Sequence, residues 1–481
     1  MYTGCGRALG YHGDPQFQSG FIFYFPKKNE KNHQEGYYIV WIEYLNSSLT
    51  GSLTESSSWI LKVDFYKEYK QMENLNRRDF LAHSVATAAI ASGLNPQQLS
   101  AFSGQSKLKV AIIGCGRLGQ QYAEIYRALD QTELVAIAEW NPERRKVVGE
   151  RFGVKALFRD AEALLKEVVP DLVAIITPTK FMKDGVIACA EAGVKGVQTD
   201  RPFAAKLSDA DQMIETCKKR GTVLAGGALE RANWQVEEAG RRLASGELGQ
   251  RLGAAVHSYR GEILAGGTAR ILVLQHFTEA TVDELIAWGN PIESLSDEAT
   301  DYGLSINGLF RLSSGLECQV FGNESTAPHR GVEVWTENGL VRWDRHGEPL
   351  TQIFHGFDSK GRRKEVDPNY RPWSWESVAK ELEPFLYKLG MRGSERDYVL
   401  GPITSLIDAV SKGIPPRISG ETQRHALEVA IACKLSAKLG SEPVKLPLAD
   451  RSMALYPRPY RWLGGDVSGR PQSAVEAAGK K

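Results

Sequence analysis

Leu108 to Gly119 reads LKVAIIGCGRLG, a short apolar strand that runs straight into a glycine-spaced turn. Val110, Ala111, Ile112 and Ile113 form the unbroken apolar run of a parallel strand buried on both faces, and Gly114, Gly116 and Gly119 supply GxGxxG directly behind it. Each glycine has its own task. The first permits a tight turn, the second lets backbone N–H groups approach a pyrophosphate, and the third lets the next helix pack closely on the strand. That helix is expected from Arg117 and Leu118 onward, its N-terminus and positive dipole end facing the phosphates.

The flanking residues supply the context that a glycine motif alone lacks. Leu118, Tyr122, Ile125, Tyr126 and Leu129 recur at helical spacing, and a second apolar run, Leu134 to Ala138, ends in Glu139. A carboxylate there accepts hydrogen bonds from an adenosine ribose 2′-hydroxyl and repels a 2′-phosphate, which favours NAD over NADP. Arg144 and Arg145 follow closely and offer partners for such a phosphate, so the preference is moderate.

Composition narrows the class. The chain has 481 residues, enough for two or three domains with substantial cores. Lysine plus arginine at 59 against aspartate plus glutamate at 58 gives no electrostatic case for nucleic acid or an anionic membrane as the main partner, and a small-molecule ligand fits better. The six cysteines show no CxxC or CxxH pairing, so no metal site is read and Cys115 counts as small filler inside the turn. No run of eighteen apolar residues predicts a membrane span.

Residues 1–71 are aromatic, Ser-rich and Gly-rich without sustained periodicity, and read as a non-native or disordered upstream extension. From Met72 the text becomes MENLNRRDFLAHSVATAAIASGL, with Arg77 and Arg78 before Phe80 and Leu81 and then a mildly apolar stretch. This resembles a twin-arginine export signal, which implies a periplasmic or exported protein, or a cytoplasmic one if the segment is not functional. Residues 72–107 are therefore signal and spacer.

From Leu108 strands and helices alternate: a helix over Asn141 to Phe152, a strand at Val154 to Phe158, a helix over Ala161 to Val168 and a buried strand at Leu172 to Ile176. A further strand, Val194 to Thr199, follows. In a doubly wound parallel sheet ligands bind beyond the carboxyl ends of strands, which places Thr177, Pro178 and Asp200 to Pro202 beside the glycine turn. After about residue 230 the texture changes. Leu304 to Leu312 and Leu316 to Val320 alternate as a hairpin, and Val332 to Thr336 leads through Asn338 and Gly339 into Leu340 to Trp343. Residues 231–450 are thus expected to form a second α/β domain on a large, mostly antiparallel open sheet, with a helix over Ala269 to Trp288 and another over Glu421 to Leu439 capped by Ser419. The tail, 451–481, is expected to be partly disordered.

The order VAIIGCGRLG, AEWNPER, ITPT, GVKGVQTDRPFA, RRLASGELG, the GGT to His276 spacing and a closing VKLPL resembles the Gfo/Idh/MocA family, that of glucose–fructose oxidoreductase and inositol dehydrogenase. The resemblance implies an N-terminal Rossmann domain, a second domain whose sheet lines the substrate site and often makes a homo-oligomer, and hydride transfer between a nicotinamide cofactor and a sugar or polyol. In the family a strand ends in Glu-Lys-Pro with the lysine near the reacting hydroxyl; here the triplet is Asp200, Arg201, Pro202. An arginine keeps the charge but does not give up its proton. A family aspartate four residues before the histidine is Leu272 here, while His276 remains.

His276 is the expected base for a hydroxyl proton, with Arg201 beside it. Glu279 or Asp283 would orient it, Tyr259 and Arg260 are weaker substrate contacts, and Lys180 or Lys183 would stand in for the missing lysine. Two alternatives stand beside the dehydrogenase: an NAD-dependent glycoside hydrolase with no net redox, and a non-catalytic dinucleotide-binding member.

Overall fold

The computed structural model describes residues 20–27, 36–45, 60–64, 107–227, 230–296, 300–322, 330–344, 351–365 and 397–464. The signal-like segment from Met72 lies outside the described residues. Residues 1–105 form one compact unit and 106–481 another. Within the first, β1 (Gly20–Lys27), β2 (Gly36–Leu45) and β3 (Ile60–Asp64) pair as an antiparallel sheet. This differs from the expectation of a segment without elements. FIFYF and YYIVWIEYL are so uniformly aromatic and β-branched that strand propensity is present without a visible period of two.

The second unit opens on a six-stranded, all-parallel sheet in the order β6-β5-β4-β7-β8-β9. Its strands are β4 (Leu108–Ile113), β5 (Thr132–Ala138), β6 (Ala156–Phe158), β7 (Leu172–Ile175), β8 (Gly196–Thr199) and β9 (Val223–Gly226). Helices α1 (Arg117–Ala128), α2 (Pro142–Phe152), α3 (Ala161–Glu167), α4 (Met182–Glu191) and α5 (Leu207–Arg220) connect them. Val110 and Ile112 pack on one face and Ala111 and Ile113 on the other, which is why the run is continuous rather than alternating.

The second sheet has nine strands in the order β17-β16-β15-β14-β10-β13-β12-β11-β18 and is antiparallel except for β10 beside β13. They are β10 (Arg251–His257), β11 (Val282–Asn290), β12 (Ser305–Leu312), β13 (Glu317–Phe321), β14 (Gly331–Thr336), β15 (Gly339–Asp344), β16 (Thr351–Phe357), β17 (Arg363–Glu365) and β18 (Val444–Lys445). Helices α6 (Trp234–Ala244), α7 (Gly266–Thr278), α8 (Asp397–Lys412) and α9 (Gly420–Lys438) belong to this half of the chain, and α10 (Pro459–Trp462) follows. Ser419 caps α9 in a reciprocal capping box with Thr422.

Two expectations are corrected. The helix expected to run to Trp288 stops at Thr278, where Glu279 turns left-handed, and β11 begins at Val282; a register shift between Val282 and Glu284 hides the alternation. Helix α8 returns to the parallel sheet. Val399, Leu400, Ile403, Leu406 and Ile407 share one core with Val110, Ile112 and Tyr122, so the dinucleotide-binding half is completed from beyond residue 230. Residues 451–464 pack on the first half: Leu455 N–H donates to Ala205 O at 2.9 Å and Ser208 N–H to Arg451 O at 2.8 Å.

Candidate active site at the junction of the two sheets

The glycine turn is built for close approach. Gly114 has φ +91°, and a Cβ there would lie 2.5 Å from Ile176 O; a Cβ on Gly119 would run into Gly114 O. At Gly116 a Cβ would meet nothing within 4 Å, so that position faces open space. Helix α1 starts behind it without a side-chain cap and without an acidic residue in its first turn, leaving first-turn donors and the dipole for an anion. Arg117 is exposed and Leu118 half-buried. Thr177 Oγ1, beside Gly114, is buried with no hydrogen-bond partner. A turn that tolerates no Cβ at two glycines and leaves the middle one open fits a pyrophosphate.

Glu139 is 3 % exposed at the end of β5. It accepts hydrogen bonds from Cys115 N–H at 2.8 Å and Asn141 N–H at 2.9 Å, and pairs with Arg144 at 3.4 Å. Arg145 donates to the Glu139 carbonyl at 2.6 Å. Both arginines are thus engaged with Glu139, which itself ties the glycine turn to the start of α2. Burial, helped by the Glu139 charge, pushes the Cys115 thiol well up, which keeps it an inert filler.

Thr179 Oγ1 donates to Pro202 O at 3.2 Å, so the loops after β7 and β8 meet. Asp200 is half-buried, its Oδ1 is buried without a hydrogen-bond partner, and burial lifts its carboxyl above the ordinary carboxylate range. Arg201 lies 3.5 Å from Glu230. It also walls a small cavity, about 10 Å³ and so no larger than one water needs, with Leu272, the position of the family aspartate, along with the apolar side chains of Phe203, Leu264 and Leu427. Thr268 and Gln423 are the other polar members. Gln423 is 4 % exposed and its Nε2 has no hydrogen-bond partner.

His276 is not among these walls. Its ring lies against α6, facing the backbone of Val236 and Glu237, and a Cβ on Gly240 would collide with its Nε2. Burial, with the Arg231 charge second, lowers its pKa to about 4. The imidazole is therefore neutral at pH 7 and serves the α6–α7 contact. Glu279 pairs with Arg251 at 2.8 Å, and Asp283 accepts from Thr281 at 3.2 Å, so neither orients His276 through the bonds they make. Tyr259 is a core aromatic, fully buried and edge-on to Phe310 at 6.4 Å, rather than a substrate contact. Arg260 is half-buried on the loop after β10. Lys183 pairs with Asp209 at 3.0 Å and Lys180 lies on Phe181, so neither replaces the missing lysine.

Sequence reading missed Thr268, Gln423 and Leu427, which reach the cavity from two helices far apart in the chain. It also missed Glu262, on the loop before α7, which receives Arg461 Nε at 2.7 Å and Tyr460 Oη at 3.0 Å. Among the described residues no group of three His, Cys, Asp or Glu side chains is placed to hold a metal ion, and no helix is long and apolar enough to cross a membrane.

A parallel sheet with this turn, joined to an antiparallel sheet, gives the chain a two-domain α/β architecture whose first half carries a dinucleotide-type turn. Residues 108–227 match the model of an oxidoreductase family with an NAD-binding Rossmann fold. Over these residues the chain is similar to the Gfo/Idh/MocA family. It is 25 % identical to myo-inositol 2-dehydrogenase of Thermotoga maritima over 346 residues, 68 % of this chain and 96 % of that enzyme. It is 34 % identical to D-apiose dehydrogenase of Paraburkholderia graminis over 145 residues, which span 30 % of this chain but only 38 % of that relative. Among solved structures, an oxidoreductase from Agrobacterium radiobacter in complex with NAD+, L-tartaric acid and magnesium aligns with TM-score 0.55 at 21 % identity, covering 71 % of this chain and 98 % of that one. Aldose-aldose oxidoreductase from Caulobacter crescentus aligns with TM-score 0.53 at 20 % identity, covering 71 % of this chain and all of that one. These likenesses to solved structures concern the fold.

Proposed function

We propose that the chain transfers hydride between a nicotinamide cofactor and a sugar, polyol or sugar-derived substrate. The observation that carries this reading is a Cβ-intolerant glycine turn beside the Thr177–Thr179 loop, which Thr179 ties to the Arg201–Pro202 loop, supported by relatives named as sugar and polyol dehydrogenases. When bound, the nicotinamide supplies a hydride acceptor. Gly114, Gly116 and Gly119 cradle the pyrophosphate, Thr177 and Pro178 border it, and Glu139 favours the ribose hydroxyls of NAD over the phosphate of NADP.

At the reacting end Arg201 holds a substrate hydroxyl by donated hydrogen bonds, since its guanidinium stays protonated. With Leu272 where the family has a carboxylate and His276 turned to α6, Asp200, which precedes Arg201 in the chain but does not line the cavity, is the carboxyl left to take the proton, its Oδ1 being buried without a hydrogen-bond partner. Export through the segment from Met72 and self-association through the outer face of the nine-stranded sheet belong to the same proposal. Trp288, Leu309 and Phe321 are exposed and share that face by register.

The test is a panel of sugars, polyols, sugar acids and glycosides incubated with the protein and NAD+. Reduced nicotinamide with an oxidised product supports the reading, and Arg201→Ala then lowers kcat/KM by roughly a hundredfold. Glycoside cleavage without reduced nicotinamide moves the reaction to the hydrolytic alternative. The apolar Leu272 favours a third outcome, dinucleotide binding with no turnover, which would make the chain a sensor or subunit.

A further inference from the structure

Residues 451–464 follow the last strand of the second sheet and cross both halves of the protein at the site just described. They begin on the dinucleotide side: Lys206 bridges Ala454, Leu207 N–H donates to Met453 O at 3.2 Å, and Leu455 N–H donates to Ala205 O at 2.9 Å, all directly after Arg201 and Pro202. The segment then crosses to the other half, where Asp301 N–H donates to Tyr456 O at 2.8 Å. There three donors converge on the Glu262 carboxylate: Arg458 N–H at 3.3 Å, Tyr460 Oη at 3.0 Å and Arg461 Nε at 2.7 Å. Finally it returns. Helix α10 packs on Thr179–Phe181, and a Cβ on Gly464 would lie 2.7 Å from Pro178 Cγ and 3.8 Å from Pro178 Cβ. Trp462 folds edge-on against Tyr456 at 4.8 Å, so the segment also packs on itself.

We infer that this segment is a strap over the nicotinamide end of the dinucleotide site, and that Arg461 is the positioning residue that latches it. The inference rests on the cofactor reading above. The latch is an ion pair between two side chains that are both largely buried: Glu262 is 9 % exposed and Arg461 32 %. Its removal leaves a buried carboxylate without its strongest donor, so the strap has a discrete held state rather than a gradual one. The Arg461 guanidinium also lies within electrostatic reach of Asp200 and Arg201, which ties the latch to the charges at the reacting end. Because the strap is fastened to loops of both halves, a dinucleotide seated between the glycine turn and Pro178 leaves only when it lifts.

The experiment is stopped-flow release of NADH from the full chain. Arg461→Ala is expected to raise the release rate roughly tenfold with a smaller change in the association rate, because interactions that hold a closed state act on dissociation. A second variant avoids any dependence on folding of the first. Gly464→Cys with Pro178→Cys puts two thiols at the Cβ separation of a disulfide, about 3.8 Å, at a backbone cost of about 1–3 kcal/mol because Gly464 has φ +88°. The five described native cysteines are buried, away from this exchange. Oxidised protein is expected to release NADH roughly tenfold more slowly than the same protein after reduction. Failure of the thiols to couple overturns the placement of the strap on Pro178. Coupling with equal release rates in both redox states overturns the strap, and an unchanged rate in Arg461→Ala overturns the latch, while the cofactor reading stands in either case. A wild-type chain that binds no NADH overturns the cofactor reading and the strap with it.

Discussion

The glycine turn and the α7 cavity, the two parts of the proposed site, depend on the chain in opposite ways. At the turn every constraint is short-range and steric: Gly114, Gly119 and the Glu139 bond to Cys115 come from one strand, one helix and the next strand. At the cavity, Arg201, Leu272 and Gln423 arrive from three elements spread over more than 200 positions, and none is required by backbone geometry. The first region therefore resists substitution, while the second can change its chemistry without changing the fold. Arg201 and Leu272, which depart from the family pattern, both fall in the second region.

The largest effect is expected from attacking the turn. Gly114→Val forces a β-branched residue to φ +91° with its Cβ 2.5 Å from Ile176 O, a cost of about 3 kcal/mol or more. Dinucleotide affinity should fall by a hundredfold or beyond in a fluorescence titration; a change under about threefold would break the claim that this turn is the cradle. Acid should then separate the two halves. No histidine lies between Leu108 and Glu230, whereas His276 and His425 sit in the second half with pKa values lowered to about 4, chiefly by burial. His425 Nε2 accepts from Val282 N–H at 3.0 Å, a bond that only the neutral ring makes. Because the folded pKa lies below the unfolded one, each histidine contributes stability above pH 6.5 that is lost as pH falls through about 4, at most about 3 kcal/mol apiece. Urea midpoints recorded across that window should decline, and His425→Gln should make the decline shallower.

Much of this contrast was legible in the sequence. GxGxxG, Glu139 and the βαβ order predict the parallel sheet because their partners are near neighbours in the chain. The site of His276 was not legible, although its spacing from Leu272 was read. Residues four apart share a helix face but stand a full turn, about 5.4 Å, apart along the axis. Leu272 meets the cavity and His276 lies past it, against α6. Since nearly every residue of α7 is buried, no polar stripe marks which neighbour each side chain faces. Helix α8 and the strap 451–464 were missed for a related reason: their partners lie some 200 to 290 residues away, at Val110, Ala205 and Pro178, beyond what any local pattern carries.

A third, smaller test sharpens the assignment of His276 to packing. Gly240→Ala would ordinarily stabilise α6 by up to about 1 kcal/mol, since alanine is the better helix former. Here its Cβ meets the His276 ring, and overpacking of this kind costs about 1–3 kcal/mol, so the net change in thermal stability should be a loss. In a His276→Ala background the collision is gone and the sign should reverse. If Gly240→Ala stabilises both backgrounds equally, the ring is elsewhere and its role at the reacting carbon returns to consideration.

The smallest effect concerns which dinucleotide the turn prefers. Glu139 already accepts from Cys115 N–H on one oxygen and from Asn141 N–H and Arg144 on the other, so little acceptor capacity remains for a ribose. Much of its work is electrostatic, holding Arg144 and Arg145 and repelling a 2′-phosphate. Glu139→Gln keeps the shape, removes the charge and leaves both arginines beside the site. The ratio of NAD to NADP affinity should shift toward NADP by roughly tenfold, about 1.4 kcal/mol, with most of the change in the NADP term. An unchanged ratio would mean that Glu139 acts only as a brace between the turn and α2, and would move cofactor choice from the legible half of the site to contacts that the cofactor itself brings together.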